Sequence, residues 1–422
     1  MEKEPDRDQL RTRRIRAVAL AALSVGVVGT SPVKALAAIP PMLTVPVGQS
    51  VALPWSQALP LTLAAGPGLH SRVAGTQAAF RASRPGLSSV ALRLFGWLPV
   101  GRVPVRAVVA PEVVPGGQSI GVAVRLQGVV VTGYHVLPGP RGVIDPARSA
   151  GIAPGDRLIS ADGRTLTSAA QLVHLTEQAG LHDKPLRLQD DSLHGVSTRW
   201  VWPAFNTISQ QFQLGIYVKT GATGVGTLTF WKPGSLGYAA LGHSITDGLS
   251  ARPAPVKSGS LTAASIVGIV PGAPNHPGEK IGVMAGTELI GGSVSHNGVF
   301  GLTGKLERAP ELGPRRLVPV AMEDQVHAGP ARIETVVDGN RPQSFGIRIL
   351  ATYPQVGPAP KGILFQVTDP RLLEKTGGIV QGMSGSPILQ DGRLVGAVTH
   401  VFIDRPDIGY GCYAQWMLRD VR

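Results

Sequence analysis

Gly382-Met383-Ser384-Gly385-Ser386-Pro387 lies between two apolar runs, Gly378-Ile379-Val380 and Ile388-Leu389. A serine set among glycines has neighbours small enough to let a carbonyl group approach. The same glycines leave backbone N–H groups free to face a developing oxyanion. Asp391-Gly392 then signals a hairpin, and residues 393–399 read as a strand. The serine therefore sits on a tight loop feeding a β-hairpin. Ser384 occupies the serine position of a Gly-x-Ser-Gly-x-Pro pattern and is the candidate nucleophile, with Ser386 as its rival. Gly382 and Ser384 would supply the oxyanion N–H groups. An ordinary Gly/Ser turn could carry the same six residues, so the rest of the chain must decide.

The chain has 422 residues with 54 Gly and 36 Pro, which disfavours long helices and favours many short strands. A hydrophobic content of 43% is enough for packed cores, so the class is mainly β. The net charge of +13 points to a solubilising surface or to attraction by an anionic one, a membrane or a cell wall. Neither zinc-finger spacing nor a helix with one basic face is present, which argues against nucleic acid. Cys412 is the single cysteine, so an intrachain disulfide and a thiolate metal site are excluded. His276, His296 and His327 are scattered without ligand spacing, and neither metal nor cofactor is expected.

From the start of the chain, Arg11, Arg13, Arg14 and Arg16 precede an apolar run over residues 17–29, and Ala35-Leu36-Ala37 follows. Residues 1–37 thus read as a secretory signal peptide or an uncleaved membrane anchor, with everything after them on the outer face. Residues 38–111 read as a small structural β-domain, with β-like runs at 89–97 and 103–109. Residues 112–203 hold a glycine-bearing loop, Gly117-Gln118-Ser119-Ile120-Gly121-Val122, and a run from Ala150 through Gly155-Asp156 to Asp162-Gly163. A helical spacing of Leu172, Val173 and Leu175 follows, capped by Ser168. This order resembles a PDZ domain. The resemblance implies that an extended peptide adds as a strand beside Ser119, Ile120, Gly121 and Val122. The loop departs from the usual Gly-Φ-Gly-Φ, which leaves an internal peptide as the alternative to a free C-terminus.

Residues 204–422 carry the chemistry. Tyr238-Ala239-Ala240-Leu241 leads into Gly242-His243. A strand ending in small residues and then Gly-His resembles the way chymotrypsin-like double β-barrels present a general base, which makes His243 the partner for Ser384. Asp247 is the nearest carboxylate in sequence, and Asp324 and Asp338 are weaker candidates. Met383 stands where trypsin-like enzymes carry Asp, so activation through a new N-terminus is not expected.

Taken in order, the export segment, β-domain, PDZ-like region, Gly242-His243, GGIVQGMSGSPI (residues 377–388) and GAVTHVF (residues 396–402) resemble the stage IV sporulation protein B peptidases of endospore-forming bacteria. The resemblance implies a serine endopeptidase in the space between mother cell and forespore. It also implies that the enzyme cleaves itself and a membrane-associated regulator, so that an intramembrane protease activates a late sigma factor. It further implies that Asp369 is the catalytic carboxylate, although Thr368-Asp369-Pro370 also reads as a helix N-cap. The rival class is a PDZ-bearing envelope scaffold whose peptidase domain is inert.

Overall fold

The structure is a computed structural model. It describes residues 42–421 apart from 48–49, 55–60, 75–76, 141, 193, 247–252, 285–288, 312–315 and 356. The export segment and Asp247 lie outside the described residues. The chain divides into two units, residues 1–111 and 112–422.

The first unit is built of β1 (Leu43–Pro46), β2 (Ser50–Pro54), β3 (Leu61–Ala65), β4 (Leu69–Ala74), β5 (Gln77–Ala82), β6 (Gly86–Leu94) and β7 (Leu98–Val108). They form two sheets, ordered β1-β7-β6-β3 and β2-β5-β4. Period-two alternation sets the faces: Val103, Val105 and Ala107 of β7 are buried, while Arg102, Pro104 and Arg106 point out.

The second unit begins with β8 (Glu112–Pro115) and the long β9 (Ser119–Tyr134), then β10 (Leu137–Gly139), β11 (Gly142–Ile144) and α1 (Pro146–Ser149). It continues through β12 (Arg157–Ala161), β13 (Arg164–Thr165), α2 (Ala169–Leu181), β14 (Leu186–Ser192), β15 (Gly195–Val201), β16 (Ala204–Asn206) and β17 (Gln211–Gln213). Next come β18 (Ile216–Trp231), β19 (Gly237–Leu241), β20 (Val256–Val270), β21 (Glu279–Met284), β22 (Gly291–Gly298), β23 (Gly301–Leu306) and β24 (Val318–Pro319). The last part holds β25 (Gly329–Thr335), β26 (Gln343–Thr352), β27 (Ile363–Val367), α3 (Pro370–Thr376), β28 (Pro387–Gln390), β29 (Arg393–Val401), β30 (Ile408–Tyr413) and α4 (Ala414–Asp420).

Two barrels dominate. The second closes as β25-β26-β27-β30-β29-β28 around Ile333, Phe345, Ile347, Phe365 and Ile388. The first closes because β9 pairs with both β18 and β20, giving β9-β20-β22-β23-β19-β18 around Ile120, Val122, Val124, Leu261 and Leu302. A shared cluster, including Phe230, Ala239, Ala397, Cys412 and Met417, packs between elements of the two barrels. The protein is mainly β and carries the double-barrel architecture of chymotrypsin-like peptidases.

β9 serves two bodies. Its even-numbered residues 120, 122, 124 and 126 face the first barrel, whereas Val129 and Val131 face a separate core with Ile152, Leu158, Leu172, Leu175 and Leu186. Beyond Gly128 the strand is buried on both faces, with Val130 still in the first core; Gly128 has a φ of +81°, which favours glycine, and a Cβ there would lie only 2.6 Å from the Leu158 carbonyl oxygen. That second core belongs to a small α/β body made of the end of β9, β12, α2, β14 and β15, with Ser168 capping α2 through a 3.1 Å bond from the Gln171 N–H.

The expected peptide edge is therefore corrected. Ile120, Gly121 and Val122 pair with Gly226, Val225 and Gly224 of β18 on one side and with Ala263, Thr262 and Leu261 of β20 on the other. Ser119 pairs with Thr227. All four residues are buried barrel strand, and Ile120, Gly121 and Val122 are paired on both sides, which leaves no edge there for an incoming peptide.

Candidate functional site

The serine loop is bent by its glycines. α3 ends at Gly377 (φ +70°), and Gly378 (φ +133°) is so close to the Pro406 carbonyl that a Cβ would lie 2.2 Å from its oxygen. Gly382 and Gly385 both take φ of +91°. These turns carry Ser384 over the end of the first barrel. A Cβ on Gly385 would lie 2.3 Å from the Thr227 carbonyl oxygen and 2.4 Å from the Leu241 nitrogen. Only glycine allows that approach.

Hydrogen bonds fix the loop from both barrels. The Thr227 N–H donates to the Ser384 carbonyl (3.0 Å), and Thr227 Oγ1 donates to the Gly382 carbonyl (2.8 Å). From the second barrel, the Gly385 N–H donates to the Val398 carbonyl (2.8 Å) and the Val398 N–H to the Ser386 carbonyl (3.0 Å). Within the loop, the N–H groups of Met383 and Ser386 donate to Val380 and Met383. Among the described residues, the N–H groups of Gly382 and Ser384 donate to no backbone carbonyl. Two uncommitted donors thus flank Met383, as an oxyanion hole needs.

Ser384 is half-buried, whereas Ser386 is fully buried. The Ser386 hydroxyl has no partner in the core, and a substrate has no route to it. Of the two serines, Ser384 is the one a peptide can reach.

His243 follows a sharp exit from β19. Leu241 and Gly242 both take φ of +72°, which swings the chain off the strand. Gly242 lies against the second barrel, where a Cβ would be 2.9 Å from the Val398 carbonyl oxygen. The carbonyl of Val398 therefore sits beside Gly242 and also accepts from Gly385. Leu241 and Gly242 are held against the serine loop and β29, and His243 is the next residue. Its Nδ1 is 3.0 Å from the Ser244 carbonyl oxygen. A carbonyl only accepts, so Nδ1 carries the proton and Nε2 keeps its lone pair. Among the described residues no hydrogen bond yet joins that imidazole to Ser384 Oγ; catalytic hydrogen bonds are often long before substrate binds.

Asp369 caps the helix that precedes the serine loop. Its carboxylate accepts from the Arg371 N–H (3.0 Å), the Gly346 N–H (3.1 Å) and the Arg371 guanidinium (2.8 Å). The Arg371 side chain, followed by these backbone donors, holds its pKa down at about 2. The carboxylate that the family resemblance assigns to catalysis here caps α3, and among the described residues no hydrogen bond links it to His243. Asp338 pairs with Lys375 at 3.8 Å and Asp324 lies on the single-turn 3-10 helix Glu323–Gln325; among the described residues neither is hydrogen-bonded to the imidazole. Among the described residues, no group of three His, Cys, Asp or Glu could hold a metal ion.

Two neighbours of the site were not read from the sequence. The His400 ring lies 5.7 Å from that of His243. Burial, then the charges of His243 and Lys361, hold its pKa below the ordinary value. It lies within the Gly396–Phe402 run that carries the family resemblance, which was the available signal. The other neighbour is Lys280, fully enclosed behind the loop. Its N–H donates to the Gln381 carbonyl (2.9 Å), its stem packs on Gly382, and its Nζ donates to Thr335 Oγ1 (2.7 Å). Burial pushes its pKa down to about 7. Alternation along β21 hid it, because Ile281 and Val283 are exposed while Lys280 turns in.

Residues 210–418 match the family model described as SpoIVB peptidase S55. This part of the chain belongs to the SpoIVB peptidase family. The chain is a peptidase, and the family makes it a serine peptidase. No curated protein matches it. Among solved structures, the crystal structure of the Rv3671c protease in its inactive form is similar at 16% identity, covering 46% of this chain and 81% of that one, with a TM-score of 0.28.

Proposed function

We propose that this SpoIVB-type peptidase cleaves peptide bonds through an acyl-enzyme on Ser384, with His243 as general base. Ser384 Oγ attacks the substrate carbonyl as His243 Nε2 takes its proton. The N–H groups of Gly382 and Ser384 receive the oxyanion, and a lost donor of this kind costs about 3–4 kcal/mol of transition-state stabilisation. His243 then protonates the leaving amine, and water releases the acyl group. The Ser244 carbonyl holds the imidazole in the required tautomer. The observation that carries this reading is the pair of uncommitted N–H groups on a loop lodged against the strand end that bears His243.

In its setting, the enzyme is a sporulation signalling protease, exported across or anchored to the membrane and acting in the forespore intermembrane space. It cleaves itself and a membrane-associated regulator, and an intramembrane protease downstream then activates a late sigma factor. Membership of the SpoIVB family supports this placement. The small α/β body is its PDZ-like module, and since residues 119–122 are barrel strand, any peptide it holds sits on another of its edges.

The test is covalent labelling of the full chain with a fluorophosphonate, read beside self-processing on gels. Ser384→Ala should abolish both, with kcat falling roughly 10⁶-fold, while Ser386→Ala keeps both. Undiminished processing by Ser384→Ala would overturn the nucleophile. A wild-type chain that neither labels nor processes would favour the inert envelope scaffold.

A further inference from the structure

From residue 9 onward the first unit carries no acidic side chain. Residues 9–111 contain no Asp or Glu, and residues 38–111 contain six arginines, Arg72, Arg81, Arg84, Arg93, Arg102 and Arg106. All six are exposed. A packed domain of this size with one sign of charge and no counter-charge projects a uniformly positive field.

Among the exposed large apolar side chains described in this unit, Phe95, Trp97 and Leu98 stand together at one end, whereas Met42, Val73, Leu87 and Val109 lie elsewhere. β6 and β7 form a hairpin in which Leu94 pairs with Leu98, so Phe95, Gly96 and Trp97 make its tip. Phe95 is 63% exposed, Trp97 72% and Leu98 40%. Phe95 takes a φ of +54°, a left-handed conformation suited to Gly or Asn, which costs an aromatic about 1 kcal/mol. Turn geometry therefore does not account for an aromatic there. Immediately behind the tip, Arg93 stands opposite Pro99 and Arg102 opposite Ala91, both on the outward face of the ribbon. The hairpin is an apolar wedge with an arginine collar.

We propose that this hairpin tip inserts into the interfacial layer of an anionic lipid bilayer. Phe95, Trp97 and Leu98 enter the boundary between headgroups and acyl chains, where aromatic rings are favoured. Arg93 and Arg102 sit at headgroup level and grip lipid phosphates with their planar donors. Two features favour lipid over another polyanion. The tip is apolar and offers almost no hydrogen-bonding groups to read a base or a sugar. It also lies in the same acid-free stretch as the apolar run of residues 17–29 behind its arginine cluster.

The experiment must separate the tip from that upstream run, so it reads position 95 itself in the full chain. Cys412 is fully buried, which leaves Phe95→Cys free for a thiol-reactive fluorophore, with Val109→Cys at the far end of β7 as the control, roughly 35 Å away at strand rise. Vesicles are phosphatidylcholine with or without phosphatidylglycerol, doped with a nitroxide-bearing lipid. Quenching of the position-95 probe on phosphatidylglycerol vesicles, with the position-109 probe unquenched, is the expected result. In unlabelled protein, Arg93→Gln with Arg102→Gln should weaken vesicle binding roughly thirty-fold, about fivefold per arginine, and leave peptidase activity unchanged. Vesicle binding with an unquenched position-95 probe would overturn the proposal, because the upstream segment would then be doing the binding. Equal quenching at both positions would overturn it too. So would tight binding of soluble polyphosphate by a chain whose tip stays in water.

Discussion

The two barrels of the peptidase are alike in strand number and differ in how the chain assembles them. The second takes all six strands from residues 329–413. The first takes five from residues 216–306 and its sixth, β9, from residues 119–134, whose far end already belongs to the α/β body. One barrel is closed by neighbours in sequence and the other by a distant recruit. Ser384, the proposed nucleophile, sits in the local barrel, and His243, the proposed base, exits the one that needs the recruit. The site therefore depends on a strand whose sequence, read alone, looks like a peptide-binding loop.

Ile120→Ala tests that difference most severely. Ile120 is fully buried in the core of the first barrel. Truncation should cost roughly 2–5 kcal/mol of stability, similar to Ile388→Ala in the second barrel, as expected for a large aliphatic cut back in a packed core. Urea unfolding followed by tryptophan fluorescence measures both, with peptidase activity lost in step with the fold. A cost under about 1 kcal/mol, far below the usual range, together with altered peptide affinity, would restore residues 119–122 as a binding edge and break the comparison.

The serine loop was legible because its constraints are local. Glycines at 382 and 385 are demanded by φ and by close approach, and Asp391-Gly392 turns the following hairpin as its dipeptide predicts. His243 was legible as a Gly-His at a strand end. The recruit was not, because strand pairing between residue 120 and residues 226 and 263 leaves no local trace. A trace did exist after Gly128, where alternation gives way to the continuous apolar run Val129-Val130-Val131, and a strand buried on both faces between two cores would have been the inference. Asp369 was ambiguous for another reason. N-cap and catalytic carboxylate share the pattern Thr-Asp-Pro, and only the three-dimensional position of Arg371 and Gly346 separates them.

Lys280 sharpens the comparison at the point where β21 braces the serine loop. The unfolded chain holds this proton to about the ordinary value of 10.5, the folded chain only to about 7. Between those values the unfolded state binds more protons, so stability rises with pH across that window. Below about 7 the fold bears the full cost of a buried ammonium. Lys280→Met removes the charge and keeps the stem against Gly382. It should raise Tm at pH 6. Near pH 10 it should lower Tm slightly, since Thr335 Oγ1 loses a hydrogen bond worth about 1 kcal/mol. Thermal unfolding at the two pH values checks this, and an equal shift at both would mean the ammonium carries no buried cost.

Asp369 gives the smallest expected effect and the clearest division of roles. As a cap, its carboxylate can be replaced by an amide, because Asn also accepts from the first-turn N–H groups. Asp369→Asn should therefore keep kcat within a few-fold, and Asp369→Ala should cost about 1 kcal/mol of stability. The depressed pKa gives a second readout. The stabilisation from Arg371 and Gly346 is present above about pH 3.8 and is lost as pH falls towards about 2, so Asp369→Asn should flatten the acid limb of the stability curve. A working triad carboxylate behaves differently: its amide variant lowers kcat about 10⁴-fold with the fold intact. Steady-state kinetics on a folded Asp369→Asn chain separates the two. A loss on that scale would mean that α3 shifts when substrate binds and delivers Asp369 to His243, so that the base depends on both barrels and not on the Ser244 carbonyl alone.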